Sequence, residues 1–595
     1  MRTFVLQLMQ MASPIIKYKI ALFGWILFIA LASFLQWTNA YHFLFIEQNQ
    51  LFLFSGSYIG DRIMIPGGVS LLIGEFLVQF FILPYVGAII TALLLTGVGL
   101  LTALICKRIA PAFSLYLFYC LPVLSLLFMH FDFNYQIQGT VAFVFLLLFV
   151  YIYLSVAAFR YRLFMAVIAV PFLFWWGGPV ACLYAFCVFL WELLNRTRGW
   201  YWMFLVVLEA VVIAWANVYF AILGEYKVAF LPDIYFHKGL VVPLTIYFSW
   251  ISLPVILVAA YLLRGIEPQK KKTQIIADAM QLLLIIGLSW ISIPIYNDTK
   301  SSKLKQLDYY ARTHQWDKLI ENCKGRLNNY LYLCYLNMAL AEKGMLADKA
   351  FAFDQRGGQG LFILWNKTAS TSTLLSELHF TAGTIAIAQE KAFESYISSI
   401  GYGNPRMLQR LVQTNLIYGE YPIAEKYLDM LDRTFYYSDW AKKHRKYLYN
   451  DAEVDKDAVL GEKRKGLPET NFLSNSAQVE KGLLSVAERC PENRKAIEYV
   501  GVGYLLMKNL DAFENLMNRY YNTEILSSLP ISFQEAIIIL YEANPEVWAH
   551  YNVSESIIRR FADFKRLIQT NRGNPPVAEA TRLYGDTYWC YFMFK

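Results

Sequence analysis

Polar side chains are rare in the first half of the chain, and most of them fall in short segments between long apolar stretches. All three histidines of residues 1–297 lie in such segments, together with acids, amides and bases. The set is His42, Glu47, Asp61, Arg62, His130, Asp132, Asn134, Glu225, Asp233, His237 and Lys238. A carboxylate at an apolar boundary can act as a general base, because burial raises its pKa. A leaving phosphate needs positive charge, which Arg, Lys or a divalent metal can supply.

For a group-transfer reaction these residues would act as bases, as metal ligands or as ligands of phosphate and sugar. Glu47 and Asp61 are the candidate bases, since both lie in the long segment 40–85. Asp132 and Asn134 are two residues apart and can present oxygens to Mg²⁺ or Mn²⁺, with His130 as a further candidate ligand. The candidates for binding phosphate or sugar are His42, Arg62, Tyr135, Trp175, Trp176, Lys227, His237 and Lys238. The alternative is structural, because loop charges are ordinarily solvated and tryptophans at a membrane boundary are ordinarily anchors.

Composition separates the chain into two halves of different character. The 595 residues are 57% hydrophobic and 16% charged, which excludes disordered, collagen-like and small disulfide-rich proteins. Residues 1–297 carry 16 basic and 10 acidic residues, whereas residues 298–595 carry 37 and 35. We therefore predict a membrane domain over 1–297 and a soluble domain over 298–595. The soluble half has no dense basic patch, so nucleic acid is not an expected partner.

Nine stretches are candidates to cross about 30 Å of hydrocarbon as helices. They lie at about 18–39, 86–106, 112–129, 138–158, 163–177, 179–194, 199–222, 241–263 and 275–296. The pair within 163–194 is short and meets at Gly178-Pro179, so either two tilted spans or a re-entrant pair is expected. Residues 69–84 are also apolar, and we expect a helix in or near the membrane interface, where water can solvate Glu75.

Lysines and arginines predict the orientation of these spans. With nine spans, thirteen basic residues fall on one side and three, Arg62, Lys227 and Lys238, on the other. The thirteen are Arg2, Lys17, Lys19, Lys107, Arg108, Arg160, Arg162, Arg196, Arg198, Arg264, Lys270, Lys271 and Lys272. The basic side is predicted to be cytoplasmic. The odd number of spans then places residues 298–595 on the opposite side. In a bacterial inner membrane that side is the periplasm.

The second half shows helical periodicity and a recurring register. Gly419, Tyr421, Ala424 and Leu428 combine a small residue, an aromatic, an alanine and a large apolar residue in the spacing of a tetratricopeptide helix pair. The register recurs at His314-Trp316-Leu319-Cys323, at Gly344-Leu346-Lys349-Phe353 and at Lys508-Leu510-Phe513-Met517. We predict an all-α tetratricopeptide-like solenoid that holds peptides or partner proteins, the alternative being an irregular helical bundle. The charged stretch 450–470 is predicted to be a loop, and a Cys323–Cys334 disulfide is left open.

The layout of residues 1–297 resembles the GT-C class of membrane glycosyltransferases. Members of that class have many spans, a cytoplasmic N-terminus and an acidic residue in a long first outer loop, followed by an amphipathic helix. Many also carry an Asp-x-Asp or Asp-x-Glu pair in the second outer loop. By this resemblance Glu47 or Asp61 is the first-loop acid, while Asp132-Phe133-Asn134 departs from the usual pair by ending in Asn. The resemblance implies transfer of a sugar from a polyprenyl-phosphate carrier, often with a divalent metal.

Two further resemblances concern the whole chain. Some protein O-mannosyltransferases join a GT-C membrane half to an outer tetratricopeptide array. The segment with Glu47-Gln48 and Pro66-Gly67-Gly68 is similar to uncharacterised multi-pass proteins of Bacteroidota. We therefore expect an α-helical membrane protein that moves a sugar or glycan from a polyprenyl-phosphate carrier to a protein or glycan acceptor. The alternative is a non-catalytic, membrane-anchored scaffold for an envelope assembly complex. A transporter is less favoured, because Glu209 is the one mid-span carboxylate and no inverted repeat is visible.

Overall fold

The computed structural model describes residues 14–264, 266, 271–401, 403–469, 479–570 and 576–595. The chain divides into two compact units, Met1–Ser302 and Lys303–Lys595. The boundary predicted from composition, after residue 297, lies close to this observed division. Among the predicted cytoplasmic basic residues, Arg2 and Lys270 lie outside the described residues.

The described residues are mainly helical, which confirms the all-α class. Strands are confined, within the described part of the chain, to the two-residue segments Gln50–Leu51 and Ile400–Gly401. The α-helices of the first unit are Pro14–Glu47, Gly56–Ile63, Gly68–Val78, Val86–Ile109, Tyr116–Met129, Ile137–Ser155, Phe159–Gly177, Val180–Asn195, Met203–Tyr219, Tyr226–Phe230, Ile246–Leu263 and Lys271–Tyr296. Short 3₁₀ turns occupy Gln79–Ile82, Trp200–Trp202 and Pro232–Tyr235.

Within the described part of the chain, seven helices are long and apolar enough to cross a membrane. They fall in seven of the nine predicted stretches. The other two stretches form shorter apolar helices, Tyr116–Met129 and Val180–Asn195, so the count of nine spans stays a prediction. The segment 163–194 forms two helices that turn at Gly178, whose backbone is in the left-handed region with φ of 79°.

The first helix continues well beyond its predicted end. Residues 40–47 were expected to begin a long loop, but they are helical as far as Glu47. Non-helical angles at Asn39 (φ −128°, ψ 20°) bend the helix there instead of ending it. The apolar run from Phe43 to Ile46 explains the continuation, because Phe43 and Ile46 are buried against the rest of the unit.

Two glycines allow the close helix contacts that this unit requires. A side chain at Gly87 would lie 2.6 Å from the Phe43 ring, and one at Gly139 would lie 2.9 Å from Tyr235. Small residues commonly permit such approach between helices in membrane proteins, where tight packing replaces the hydrophobic effect. Gly139 thereby lets the segment around Tyr235 lie directly on the helix Ile137–Ser155.

Basic residues gather at one end of the first unit. Arg108 donates to the carbonyls of Leu154 and Ser155, and Arg264 donates to Asn195 Oδ1 over 3.0 Å. Arg162 lies 3.1 Å from Glu192, which is completely buried and also accepts a hydrogen bond from the Tyr153 hydroxyl. We call this end the Glu192 pole. Protein groups and not water therefore surround the Glu192 carboxylate.

The second unit is built mainly from paired helices. Its α-helices are Thr299–Arg312 (which contains the boundary between the units), Trp316–Asn322, Tyr330–Glu342, Leu346–Lys349, Ala369–Ala382, Ile385–Ser398, Pro405–Tyr418, Tyr421–Asp432, Ser438–His444, Asp451–Lys456, Leu460–Lys465, Val479–Arg489, Arg494–Leu506, Leu510–Tyr520, Ile531–Leu540, Glu546–His550, Glu555–Thr570, Val577–Tyr584 and Tyr588–Phe594.

The prediction of a loop over 450–470 is wrong, because two short helices occupy most of it. Arg464 explains this, since it pairs with Asp451 and Asp455 on one side and donates to the carbonyls of Leu416 and Ile417 on the other.

The recurring register marks a recurring turn. At each predicted position the chain enters the left-handed region for one residue, and a new helix begins two residues later. These residues are His314, Gly344, Gly419 and Lys508, and the same turn occurs at Gly383. In all five turns the residue after the left-handed one donates its N–H to the carbonyl five residues earlier, over 2.8–2.9 Å. This is the Schellman pattern that ends helices.

The side chains of the register are buried as expected in three of the four cases. Leu319, Ala424 and Phe513 are each fully buried. The register at Gly344 is weaker, because Lys349 is exposed and the helix changes there into a 3₁₀ turn. All eight cysteines, including Cys323 and Cys334, are free thiols. Helix pairing is therefore observed, while a regular tetratricopeptide solenoid stays a proposal.

The left-handed turns predict opposite changes in stability for substitutions at two positions. Gly419→Ala should destabilise the second unit by about 1 kcal/mol, because a Cβ disfavours positive φ. No atom lies within 4 Å of the added Cβ, so the effect is on the backbone alone. Lys508→Gly should stabilise it or leave it unchanged. Thermal unfolding of the full chain in detergent, with hydrogen exchange across each helix pair, measures the change in stability of both variants. Equal changes in the two variants would contradict the left-handed turns at these positions.

Glu535 generates a pH prediction. Burial raises the pKa of its carboxyl to about 8, although the N–H of Tyr588 donates to it. The folded pKa exceeds the unfolded one, so the stability from this group is complete below about pH 4 and is lost as pH rises through about 8. Glu535→Gln should therefore flatten the fall in melting temperature of the full chain between pH 5 and 9. Glu579→Gln, at an exposed site, is the matched control, and equal slopes in the two variants would refute the prediction.

Candidate functional site

Most of the predicted site residues lie at the end of the first unit away from the Glu192 pole. We call this end the Glu47 pole and define it as residues 42–67, 130–138, 174–179 and 232–239. Several hydrogen bonds join these segments. Gly67 N–H donates to Phe174 O (3.0 Å) and Gln138 Nε2 donates to Gly67 O (3.2 Å). Gln136 N–H donates to Tyr235 O (2.9 Å), and the Tyr235 hydroxyl donates to Gly177 O.

Glu47 and His42 lie on the last turns of the first helix, after its bend. Both side chains are buried, with exposed fractions of 2% and 3%. Phe45, between them, packs edge-to-face on Phe133 with ring centroids 5.1 Å apart. The first-loop acid therefore belongs to the same pole as the segment that contains Asp132.

Asp61 and Arg62 share the short helix Gly56–Ile63 but have different surroundings. Asp61 is exposed. Arg62 lies 3.2 Å from Glu75 and over the ring of Tyr58, whose hydroxyl donates to the same carboxylate. Glu75 is only 2% exposed, so the expectation that water solvates it is wrong. Arg62 was a candidate phosphate ligand, and its charge is instead used on Glu75.

The proposed metal ligands do not have the geometry of a metal centre. Asp132 Oδ1 accepts from both the backbone N–H and the side-chain amide of Asn134, at 2.9 and 2.8 Å. His130 is buried and its Nε2 is 2.8 Å from the Thr140 hydroxyl. Among the described residues no group of three His, Cys, Asp or Glu side chains comes together to hold a metal. The residues present do not fit a Mg²⁺ or Mn²⁺ site, so we derive no step through a metal.

The segments around Tyr135 and His237 form a short bridge. Tyr135 and Phe236 pair in antiparallel fashion, and His237 N–H donates to Asn134 O over 3.1 Å. The Tyr135 side chain is buried, with its hydroxyl 3.2 Å from that of Thr140. This pairing brings His237 and Lys238, which are distant in sequence, beside the segment of Asp132.

The remaining candidates are peripheral to this bridge. Trp175 is 41% exposed and its Nε1–H donates to Ile63 O over 2.6 Å. Trp176 packs against the rings of Phe145 and Phe149. Lys227 and Lys238 are exposed. Trp175 thus fastens the Asp61 helix through Ile63, and Trp176 packs among aromatic rings.

Sequence reasoning missed three residues that organise the Glu47 pole. Glu75 and Tyr58 hold Arg62, and Gln138 fastens Gly67. Glu75 and Gln138 bond to residues outside their own helices, so neither spacing nor composition points to them, whereas Tyr58 and Arg62 are four residues apart on one helix. The usable signal for Glu75 is its position in an otherwise apolar helix, because a carboxylate in such a place requires a partner.

The Arg62–Glu75 pair generates a stability prediction. Arg62→Met should destabilise the first unit by about 3–5 kcal/mol, because it leaves a buried carboxylate without its counter-charge. Adding Glu75→Gln should recover much of the loss. Lys238→Met, at an exposed site on the same pole, is the control and should leave the melting temperature in detergent unchanged. A folded Arg62→Met protein of normal stability would show that the pair is not structural.

Comparison with known proteins gives one match. A search of the curated proteins finds no match. A search of the solved structures finds none either. A family model covers residues 15–595, nearly the whole chain. The chain belongs to the DUF6057 family, a family of unknown function.

Proposed function

We propose that this protein is a membrane glycosyltransferase that moves a sugar or glycan from a polyprenyl-phosphate carrier to a protein or glycan acceptor. The reaction takes place at the Glu47 pole, which lies on the periplasmic side of a bacterial inner membrane. The observation that carries the proposal is the placement of Glu47. Its carboxylate is buried at the end of a candidate membrane span, and its helix contacts the segment of Asp132 through Phe45 and Phe133.

The reaction requires a base and a stabilised leaving group. Glu47 takes the proton of the acceptor hydroxyl, whose oxygen attacks the anomeric carbon of the sugar. The bond between that carbon and the phosphate oxygen breaks, and the carrier phosphate leaves with the electron pair. Arg62 is already paired with Glu75, so Lys238 supplies the positive charge to this phosphate, and His237 lies beside it in sequence as a hydrogen-bonding group.

Glu47 is favoured over Asp61 as the base because of their different burial. A general base acts best where bulk water is excluded, and Glu47 is 2% exposed. Asp61 is exposed. Charge separation across the unit supports the orientation, since Arg108, Arg162 and Arg264 bind at the Glu192 pole.

The test is sugar transfer by the purified full chain in nanodiscs. The substrates are a polyprenyl-phosphate-linked sugar and a peptide acceptor, and the readout is labelled sugar on the peptide. Glu47→Gln should lower the rate at least about 100-fold, because it removes the base while keeping size and hydrogen bonding. Asp61→Asn is the matched control and should lose little. Equal loss in both variants, or a wild-type rate in Glu47→Gln, would contradict the assignment of Glu47.

The second candidate function is a non-catalytic, membrane-anchored scaffold for an envelope assembly complex. The observation that favours it is a cavity of about 460 Å³ within the second unit, on the scale of a binding site. A scaffold predicts that cavity substitutions abolish function in cells, whereas Glu47→Gln has no effect.

A further inference from the structure

A cavity of about 460 Å³ lies among the helices of the second unit, and its lining is unusual for a protein interior. Four of its residues come from one helix, Pro405–Tyr418, at positions Arg406, Gln409, Arg410 and Gln413. These positions are spaced at three, four and seven residues and so share one face. The face of a helix that points into a protein is ordinarily apolar, but this one is entirely polar.

The same helix also has an ordinary apolar face. Leu408, Leu411 and Val412 are buried. The apolar face anchors the helix, and Arg406 and Arg410 on the polar face also pair with Glu377 of the helix Ala369–Ala382. A stripe of Arg and Gln that lines an internal space fits a ligand more readily than a packing role.

The carboxylates of the cavity are already engaged by the protein. Glu377 accepts from Arg406 Nε over 2.9 Å and is also paired with Arg410. Glu342 accepts from Lys495 over 2.8 Å. Glu462 accepts from the side-chain amide of Asn493 over 2.6 Å. The acceptors in the lining are therefore largely used.

Donors are left in excess. Arg410 Nε is buried and has no hydrogen-bond partner among the described residues. Lys463 is 6% exposed, and its ammonium donates to Thr381 O and lies 3.6 Å from Glu462, which leaves one of its three donors. Burial lowers the pKa of this lysine, so an added anion would stabilise its charged form. The lining carries five cations, Arg312, Arg406, Arg410, Lys463 and Lys495, against three carboxylates, and Arg406 also pairs over 2.8 Å with Asp308, which lies outside the lining.

Aromatic side chains supply the apolar part of the lining. Trp316, Phe380 and Trp440 line the cavity, and the Arg410 guanidinium lies 3.5 Å from the centroid of the Phe380 ring. A ligand that satisfies this surface needs oxygen acceptors with negative charge together with apolar groups. A segment of peptide with acidic side chains has both.

We infer that the cavity binds an acidic peptide segment of a partner protein, with Arg410 and Lys463 contacting a carboxylate and Trp316 and Trp440 contacting the adjacent chain. The inference is independent of the transfer reaction. Loss of sugar transfer in Glu47→Gln and loss of peptide binding in a cavity variant are separate results, so either proposal can fail alone.

The experiment measures fluorescence anisotropy with the full chain in detergent. The probes are three labelled six-residue peptides that alternate Leu with Glu, Gln or Lys. The Glu peptide should bind at least about tenfold more tightly than the Gln peptide, since charge-assisted bonds to Arg and Lys are the stronger ones. Arg410→Gln and Lys463→Met should each weaken it by about tenfold. Arg433→Gln, at an exposed site of the same unit, is the control and should change nothing.

Several results would overturn the inference. They are equal binding of the Glu and Gln peptides, no binding of the Glu peptide, or equal affinity in the cavity variants and the control. Binding of inorganic phosphate that depends on Arg410, without binding of the Glu peptide, would assign the cavity to a small anion instead. Melting temperatures show which variants fold, and Lys463→Met leaves the Arg410–Glu377 pair intact if Arg410→Gln does not fold.

Discussion

The first unit depends on the pairing of charge inside an apolar helical bundle. An isolated carboxylate in such a place costs several kcal/mol, and even a paired one gains little over an apolar residue of the same size. Among the buried carboxylates of the described part of this unit, Glu75 and Glu192 lie one toward each pole. Each is met by an arginine and by a tyrosine hydroxyl, with the arginine also near the face of that tyrosine ring. Two separate regions of the sequence thus hold a buried carboxylate with the same two partners, an arginine and a tyrosine.

This pairing determines what is left for chemistry at the Glu47 pole. Arg62 is the basic residue nearest in sequence to the candidate bases, but Glu75 takes its charge. The same pair fixes the helix of Asp61 on the helix of Glu75, and Trp175 fastens it again through the carbonyl of Ile63. A transferase at this pole must therefore use cations from the segment 232–239, which the Tyr135–Phe236 bridge brings alongside.

Sequence reasoning succeeded where the signal is local and repeated. The charge contrast between the halves is a bulk property, and the left-handed turns at His314, Gly344, Gly419 and Lys508 were each marked by a short register. It failed where the determinant is a contact between distant residues. The charged stretch 450–470 was expected to be a loop, because nothing local shows that Arg464 reaches the carbonyls of Leu416 and Ile417. Spacing alone also cannot show that the side chains of Asp132 and Asn134, only two residues apart, bond to each other.

The balance of donors and acceptors separates structural charge clusters from binding sites in this protein. Around Glu192 the cluster is closed, because its two oxygens face the guanidinium of Arg162 and one also accepts from Tyr153. The cavity of the second unit is open in this sense, since Arg410 Nε and Lys463 keep unused donor capacity while the nearby carboxylates are engaged. An interior with unsatisfied donors is costly to fold unless something completes it. The closed clusters are accounted for by stability alone, and the open one is where we infer a ligand that brings its own acceptors.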